Sequence, residues 1–235
     1  LFVVEIKIKQ FKNCCKKDMI KGFLFDLDGV IVETAIFHYQ AWRKMANDLG
    51  FDISEEFNEG LKGISRMDSM NLILEHGNIA LSESEKIELA TKKNEHYLTL
   101  VSKMTADDIL PGVKEFFIQI KQTNIKIALG SVSKNAKTIL DGVGLINEFE
   151  AIIDGTKITK GKPDPEVFLK GAAELGLSPE ECLVFEDAVA GVEAGKNAGM
   201  KVIGIGNAEV LTKADIVFDG FEGIELTQLL NNFSK

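Results

Sequence analysis

The chain has no unbroken apolar stretch of about 18 residues, the length a membrane-crossing helix needs, so no transmembrane segment is expected. Cysteine is scarce: of three, Cys14 and Cys15 are adjacent and Cys182 falls in an apolar run. Neither a disulfide framework nor a metal-ligand spacing can be built from them, which fits a chain kept in a reducing cytoplasm. Basic residues are outnumbered, 27 Lys and Arg against 36 Asp and Glu, for a formal charge of −9. That balance argues against nucleic acid or an anionic membrane as a partner. It does not exclude an anionic small molecule, because the placement of a few Lys and Arg decides that question. Internal repeats and low-complexity segments are lacking, as is a long apolar stripe for self-association, so a monomer is expected.

The opening residues, Leu1-Phe2-Val3-Val4-Glu5-Ile6-Lys7-Ile8-Lys9, carry charges where a signal peptide would be apolar. Val4, Ile6 and Ile8 alternate with charged neighbours, the pattern of a half-buried strand. Residues 1–18 are read as an extension ahead of Met19: either an extra edge strand or an upstream stretch read through from a misplaced start.

What the chain does contain is a hydrophobic run, Gly22-Phe23-Leu24-Phe25, that ends in Asp26-Leu27-Asp28-Gly29. Residues i and i+2 of a strand point to one side, so the spacing predicts that Asp26 and Asp28 share a site. Two such carboxylates coexist only with a metal, a proton or a transferred group between them. The arrangement suits phosphoryl transfer, with Asp26 as nucleophile and Asp28 as acid–base.

Five later segments read as strands: 125–131, 151–155, 182–188, 201–206 and 215–218. Helical patterns separate most of them, which predicts a parallel sheet with helices on both faces. Pro111 opens a helix through Gln122, Asp164-Pro165 supplies an N-cap and first helical residue, and Gly176 and Gly199 are stops. From Ile36 to about Met104 nearly everything reads helical: Phe37, Ala41, Trp42, Met45 and Leu49 form one face up to Gly50. Asp68–His76 makes another helix, and Ser82-Glu83-Ser84-Glu85 has the spacing of a capping box. The expected architecture is α/β, a Rossmann-like core formed by residues 19–33 and 105–235, with a small helical cap domain over 34–104.

Three further elements fall at strand ends, where open parallel sheets bind ligands. Ser131 closes the apolar run Ile125–Gly130, and its hydroxyl, with backbone N–H groups at a helix start, suits phosphate oxygens. Lys162, in Gly161-Lys162-Pro163-Asp164-Pro165, suits charge neutralisation at a phosphate and its nucleophile. Glu186-Asp187 offers hard oxygens for Mg²⁺. Taken singly, the acidic pair reads equally well as helix caps, Ser131 as a cap and Lys162 as a solvated lysine. Their succession, each at a strand end, is what points to chemistry.

This set, with VFEDAVAGVEAGKNAG around the late acidic pair, resembles the haloacid dehalogenase superfamily of phosphotransferases over nearly all of residues 20–235. Within it the pattern is most similar to the β-phosphoglucomutase branch, through Thr34, His38 and Trp42, the run Leu61-Lys62-Gly63-Ile64-Ser65-Arg66, Lys92-Lys93-Asn94, and Ser131-Val132-Ser133-Lys134-Asn135. The resemblance implies an aspartyl-phosphate on Asp26 and acid–base work by Asp28, with Ser131 and Lys162 on the transferring phosphoryl. It implies a Mg²⁺ site from Asp26, Asp28, Glu186 and Asp187. It implies that Arg66, Ser133, Lys134 and Asn135 grip a second phosphate, and that Lys62, Gly63 and Ile64 approach the sugar. His38 and Lys93 would position Asp28 and the hexose with Thr34 nearby, while Trp42 either walls the cavity or belongs to the core. The implied substrates are sugar phosphates.

Glu33, Gly130, Val132 and Ala188 depart from the branch's usual residues, which bears on sugar preference more than on chemistry. A sugar-phosphate or phosphoglycolate-type phosphatase with the same core machinery is the rival reading.

Overall fold

The computed structural model describes residues 20–62 and 64–233. The proposed N-terminal strand and Gly63 lie outside the described residues. Six strands form one parallel sheet: β1 (Gly22–Phe25), β2 (Lys126–Gly130), β3 (Ala151–Ile153), β4 (Cys182–Glu186), β5 (Lys201–Ile205) and β6 (Ile216–Phe218). Their order is β3-β2-β1-β4-β5-β6, the doubly wound arrangement. β1 is central, and its Phe25 is in register with Leu129 of β2 and Phe185 of β4. All three strands therefore end side by side.

Residues of β1 and β4 are buried on both faces, which is why each reads as an apolar run rather than an alternation. One side of the sheet packs Phe23, Phe25 and Phe185 against Phe116 and Phe221. The Phe25 and Phe185 rings stack with centroids 4.5 Å apart. Each such side chain contributes roughly 1.5–3 kcal/mol by leaving water. The other side packs Leu24, Ala128 and Val184 against Val167, Phe168 and Val192. Its helices come close where they lack side chains: a Cβ on Gly171 would stand 2.6 Å from Leu24 Cδ2.

The helices that cover the sheet are α5 (Val113–Lys121), α6 (Ala136–Gly142), α7 (Glu166–Leu175), α8 (Val189–Asn197) and α9 (Leu226–Asn231). α7 begins one residue later than expected: Pro165 is its N-cap, and the Asp164 carboxylate accepts from the Glu166 N–H at 3.0 Å.

Between β1 and β2 lie α1 (Ala35–Asp48), α2 (Glu55–Glu59), α3 (Arg66–His76) and α4 (Glu83–Val101). They have a separate core built on Trp42, Met45, Met70, Ile73 and Ala90. Ser54, Ser65 and Ser82 each accept a backbone N–H at a helix start, and Ser82 with Glu85 completes a capping box. The short α2 is not distinguished in the sequence pattern, because its five residues are too few to show a period.

Candidate active site

A cavity of about 550 Å³ lies between the strand ends and α1–α4. Asp26 follows β1 directly, its N–H donating to the Phe185 carbonyl at 3.0 Å. β1 has ended by then, so it is the turn, not the pleat, that brings Asp26 and Asp28 together. The Asp28 N–H donates to Asp26 Oδ2 at 3.0 Å, and Gly29 turns the chain with φ 77°. A Cβ on Gly29 would lie 2.1 Å from Asp187 Oδ2, so only glycine lets Asp187 face this turn.

The Lys162 ammonium, fully buried, sits 2.5 Å from Asp26 Oδ1 and also donates to Glu186 Oε1. Burial alone would depress it, but Asp26 and Glu186 outweigh that and hold Lys162 above its ordinary value. The other Glu186 oxygen accepts from the Ala188 N–H at 2.9 Å. Burial, opposed by Lys162, brings the Glu186 carboxyl up to about 7. Asp28 is likewise pushed up to about 7, first by burial and then by the Asp26 charge, while the Thr34 hydroxyl donates to its Oδ1. Asp187 is driven well above the usual carboxylate range by burial, then by Glu186 and Asp26.

Four carboxylates thus gather around one buried ammonium, an excess of negative charge that suits a cation. Among the described residues, no three His, Cys, Asp or Glu side chains form a ready-made metal cage. Asp26, Asp187 and a backbone carbonyl in the turn offer hard oxygens and leave positions for water and phosphate. That is how Mg²⁺ is usually bound, and the residues present fit it.

A second polar cluster opens on the same cavity. Arg66, the first residue of α3, donates to Asn94 Oδ1 at 2.7 Å, and Asn135 Nδ2 donates to the same oxygen at 2.8 Å. Among the described residues no carboxylate lies within ion-pair distance of Arg66, and burial lowers its pKa. Nearby, His38 Nδ1 and Lys93 Nζ are 2.9 Å apart, with Lys93 also 4.2 Å from the centre of the Trp42 ring. Burial and then Arg66 hold Lys93 well below its ordinary value. Burial, followed by Lys93 and Arg66, holds His38 well below its own.

Of the residues singled out in the sequence, Asp26, Asp28, His38, Trp42, Lys62, Ile64, Arg66, Lys93, Ser133, Lys134, Asn135 and Asp187 line the cavity. Trp42 does so while also belonging to the helical core. Lys62 pairs with Glu59 at 2.9 Å and reaches Asp187 at 3.9 Å. Thr34, Ser131, Lys162 and Glu186 are buried beneath the wall instead. Thr34, expected beside the sugar, is fully buried and supports Asp28. Ser131 Oγ accepts the Ser133 N–H at 3.1 Å. Glu186, expected as a metal ligand, has a partner on each oxygen. Asn94 entered the sequence reading only through the resemblance carried by Lys92-Lys93-Asn94 and was given no site role of its own. Its signal was available: Ala90, Lys93 and Tyr97 form the buried face of α4, and a polar Asn94 sits beside that face.

The profile of the haloacid dehalogenase-like hydrolases matches residues 20–199. A β-phosphoglucomutase of Bacillus subtilis is 44% identical over 200 residues, covering 84% of this chain and 88% of that protein. A phosphorylated carbohydrates phosphatase of Thermotoga maritima is 29% identical, covering 78% and 84%. The crystal structure of a β-phosphoglucomutase from Clostridium difficile superposes with a TM-score of 0.89 at 45% identity, covering 92% of this chain and 97% of that one. Motifs, sheet order and these matches converge: the chain belongs to the haloacid dehalogenase-like hydrolase family.

Proposed function

We propose that the protein is a Mg²⁺-dependent phosphohexomutase that interconverts β-D-glucose 1-phosphate and D-glucose 6-phosphate through β-glucose 1,6-bisphosphate. The observation that carries this reading is that one cavity is lined both by Asp26, held from beneath by Lys162, and by an Arg66 guanidinium with no carboxylate paired to it among the described residues. A single phosphoryl centre suffices for hydrolysis. A mutase must also hold the phosphate that is not being transferred, and a planar guanidinium does this bidentately. Similarity to the mutases of B. subtilis and C. difficile supports the same choice.

In this mechanism the phosphoryl on Asp26 passes to the 6-hydroxyl of β-glucose 1-phosphate as the bond from phosphorus to Asp26 breaks, and Asp28 removes the hydroxyl proton. The bisphosphate so formed turns end for end. An Asp26 oxygen then attacks phosphorus at the other position while the bond from phosphorus to the sugar oxygen breaks. Asp28 returns the proton to the departing oxygen, and glucose 6-phosphate leaves with the phosphorylated Asp26 restored. A carboxyl near neutrality in its pKa serves both directions. Thr34 fixes the Asp28 carboxyl and Lys162 fixes Asp26, so neither needs to reorient during transfer. Glu186 holds Lys162 in place, and Ser131 supports the loop that carries Ser133, Lys134 and Asn135. Asp26, the Asp28 carbonyl and Asp187 would hold Mg²⁺, which supplies charge neutralisation at the transferring group. Residues 34–104 act as a cap that excludes water from the phosphoenzyme. The core comprises 19–33 and 105–235, and the enzyme works as a cytoplasmic monomer.

The test is product partition. With β-glucose 1-phosphate, Mg²⁺ and a trace of bisphosphate, glucose 6-phosphate should form far faster than free phosphate. Predominant release of phosphate would assign the chain to the phosphatases instead.

A further inference from the structure

Arg66 carries donors only, so the Asn94 atom that faces it must be the side-chain oxygen. The Asn135 atom on that same oxygen must then be its amide nitrogen. One guanidinium thereby settles the orientation of both amides. Asn94 belongs to α4, Arg66 to α3 and Asn135 to the loop after β2, so a single oxygen joins two helices to the sheet's own loop.

The neutrality of Asn94 matters as much as its position. An aspartate there would orient Arg66 equally well but would cancel its charge and repel an incoming phosphate. A neutral acceptor aligns the guanidinium and leaves its full positive charge, with the N–H groups not turned toward Asn94, available to the cavity. Lys93, one residue earlier, is engaged with His38 and leans over Trp42, so it does not replace Arg66.

We infer that Asn94 is a positioning residue for recognition of the non-transferring phosphate. It aligns Arg66 with Asn135 while leaving the guanidinium uncompensated. This inference rests on the mutase reading above.

Two variants test it, Asn94→Leu and Asn94→Asp, each assayed with β-glucose 1-phosphate and with acetyl phosphate, which has no second phosphate. Asn94→Leu loses the acceptor, and KM for the sugar phosphate should rise roughly tenfold, the effect of one charged hydrogen bond. Acetyl phosphate hydrolysis should fall no more than about twofold, since its single phosphate needs only the Asp26 centre. Asn94→Asp restores an acceptor in the same place. If Asn94 merely fastened α4 to the core, Asp would rescue KM. If it serves phosphate recognition, KM should stay raised. Wild-type KM in Asn94→Asp, or equal losses on both substrates in Asn94→Leu, would overturn the inference. If the wild-type enzyme releases phosphate rather than glucose 6-phosphate, the mutase reading fails by itself. Asn94 is then judged by the same KM comparison, between the sugar ester that is hydrolysed and acetyl phosphate.

Discussion

Gly191 and Glu186 fit only because one of them has no side chain: a Cβ on Gly191 would stand 1.8 Å from Glu186 Oε1 and 2.4 Å from Oε2. Glu186 is fully buried and fastened on both sides, by Lys162 and by the Ala188 N–H, so it cannot swing away. The start of α8 and Lys162 are therefore connected through one carboxylate.

Replacing Gly191 with Ala sets a gain against a loss. Alanine favours the helix by about 1 kcal/mol, whereas overpacking costs roughly 1–3 kcal/mol and displaces Glu186. The displacement should win. Urea denaturation should show a less stable protein, and turnover should drop as Lys162 loses its support. Shortening the acid in the double variant Gly191→Ala/Glu186→Asp should recover part of the stability. No recovery would mean that the clash lies elsewhere.

Lys162→Met should be among the most damaging changes to the fold. It leaves Asp26 and Glu186 buried without their shared ammonium, and breaking such a cluster costs about 3–5 kcal/mol. Adding Glu186→Gln removes one of the stranded charges and should restore a measurable part of that loss in a double-mutant cycle. Strictly additive losses would show that the three groups are not coupled.

Asp28→Asn should lower mutase turnover by roughly 10²–10⁴-fold, the contribution of a positioned acid–base. Phosphorylation of Asp26 by acetyl phosphate, whose leaving group needs no proton, should survive. Mass spectrometry of the intact protein would detect that phosphoenzyme. Its absence would move Asp28 from proton transfer to the phosphorylation step itself.

Much of this centre was legible in the chain, and the part that was not has a physical explanation. β1 and β4 announce themselves because burial on both faces demands continuous apolar residues. Asp26 and Asp187 stand out because charges at the ends of such runs are unusual, whereas Lys162 lies in the loop between β3 and α7 and is marked by Pro163-Asp164-Pro165 after it. Whether a polar residue near a strand end lines the cavity or lies under it depends on turn geometry that no periodicity encodes. Thr34, Ser131 and Glu186 are therefore placed only by the structure. Asn94 is harder still: its place beside the buried face of α4 is legible, but its two partners are 28 and 41 residues away in the chain, so which groups it meets is not.

His38 makes stability depend on pH. Burial, then Lys93 and Arg66, hold its folded-state pKa well below 6.5, with the Tyr97 ring packed against it and no carboxylate paired to it among the described residues. The unfolded chain therefore binds a proton that the folded protein refuses. The His38 contribution is fully present above about pH 6.5 and is lost as the pH falls below that value. Urea midpoints should drop between pH 7.5 and pH 5 more steeply in the wild type than in His38→Gln. Parallel profiles would remove His38 from the explanation.

Magnesium should stabilise the folded chain apart from any effect on rate. The excess of carboxylates around Lys162 is relieved by a bound cation, and mass action then raises the melting temperature with ion concentration. Asp187→Asn should blunt that rise while chelator has no effect on the variant. An undiminished rise in Asp187→Asn would place the ion elsewhere.

β1, which Asp26 directly follows, is the first strand among the described residues and lies inside the sheet, yet one of its neighbours begins only at Cys182. On the ribosome, the reactive carboxylate is thus made long before the lysine and the late acids that restrain it. Pairings so distant along a polypeptide form slowly. A growing or truncated chain lacking β4 should accordingly be chemically inert, and competence should arrive in one step when the sheet closes around its centre.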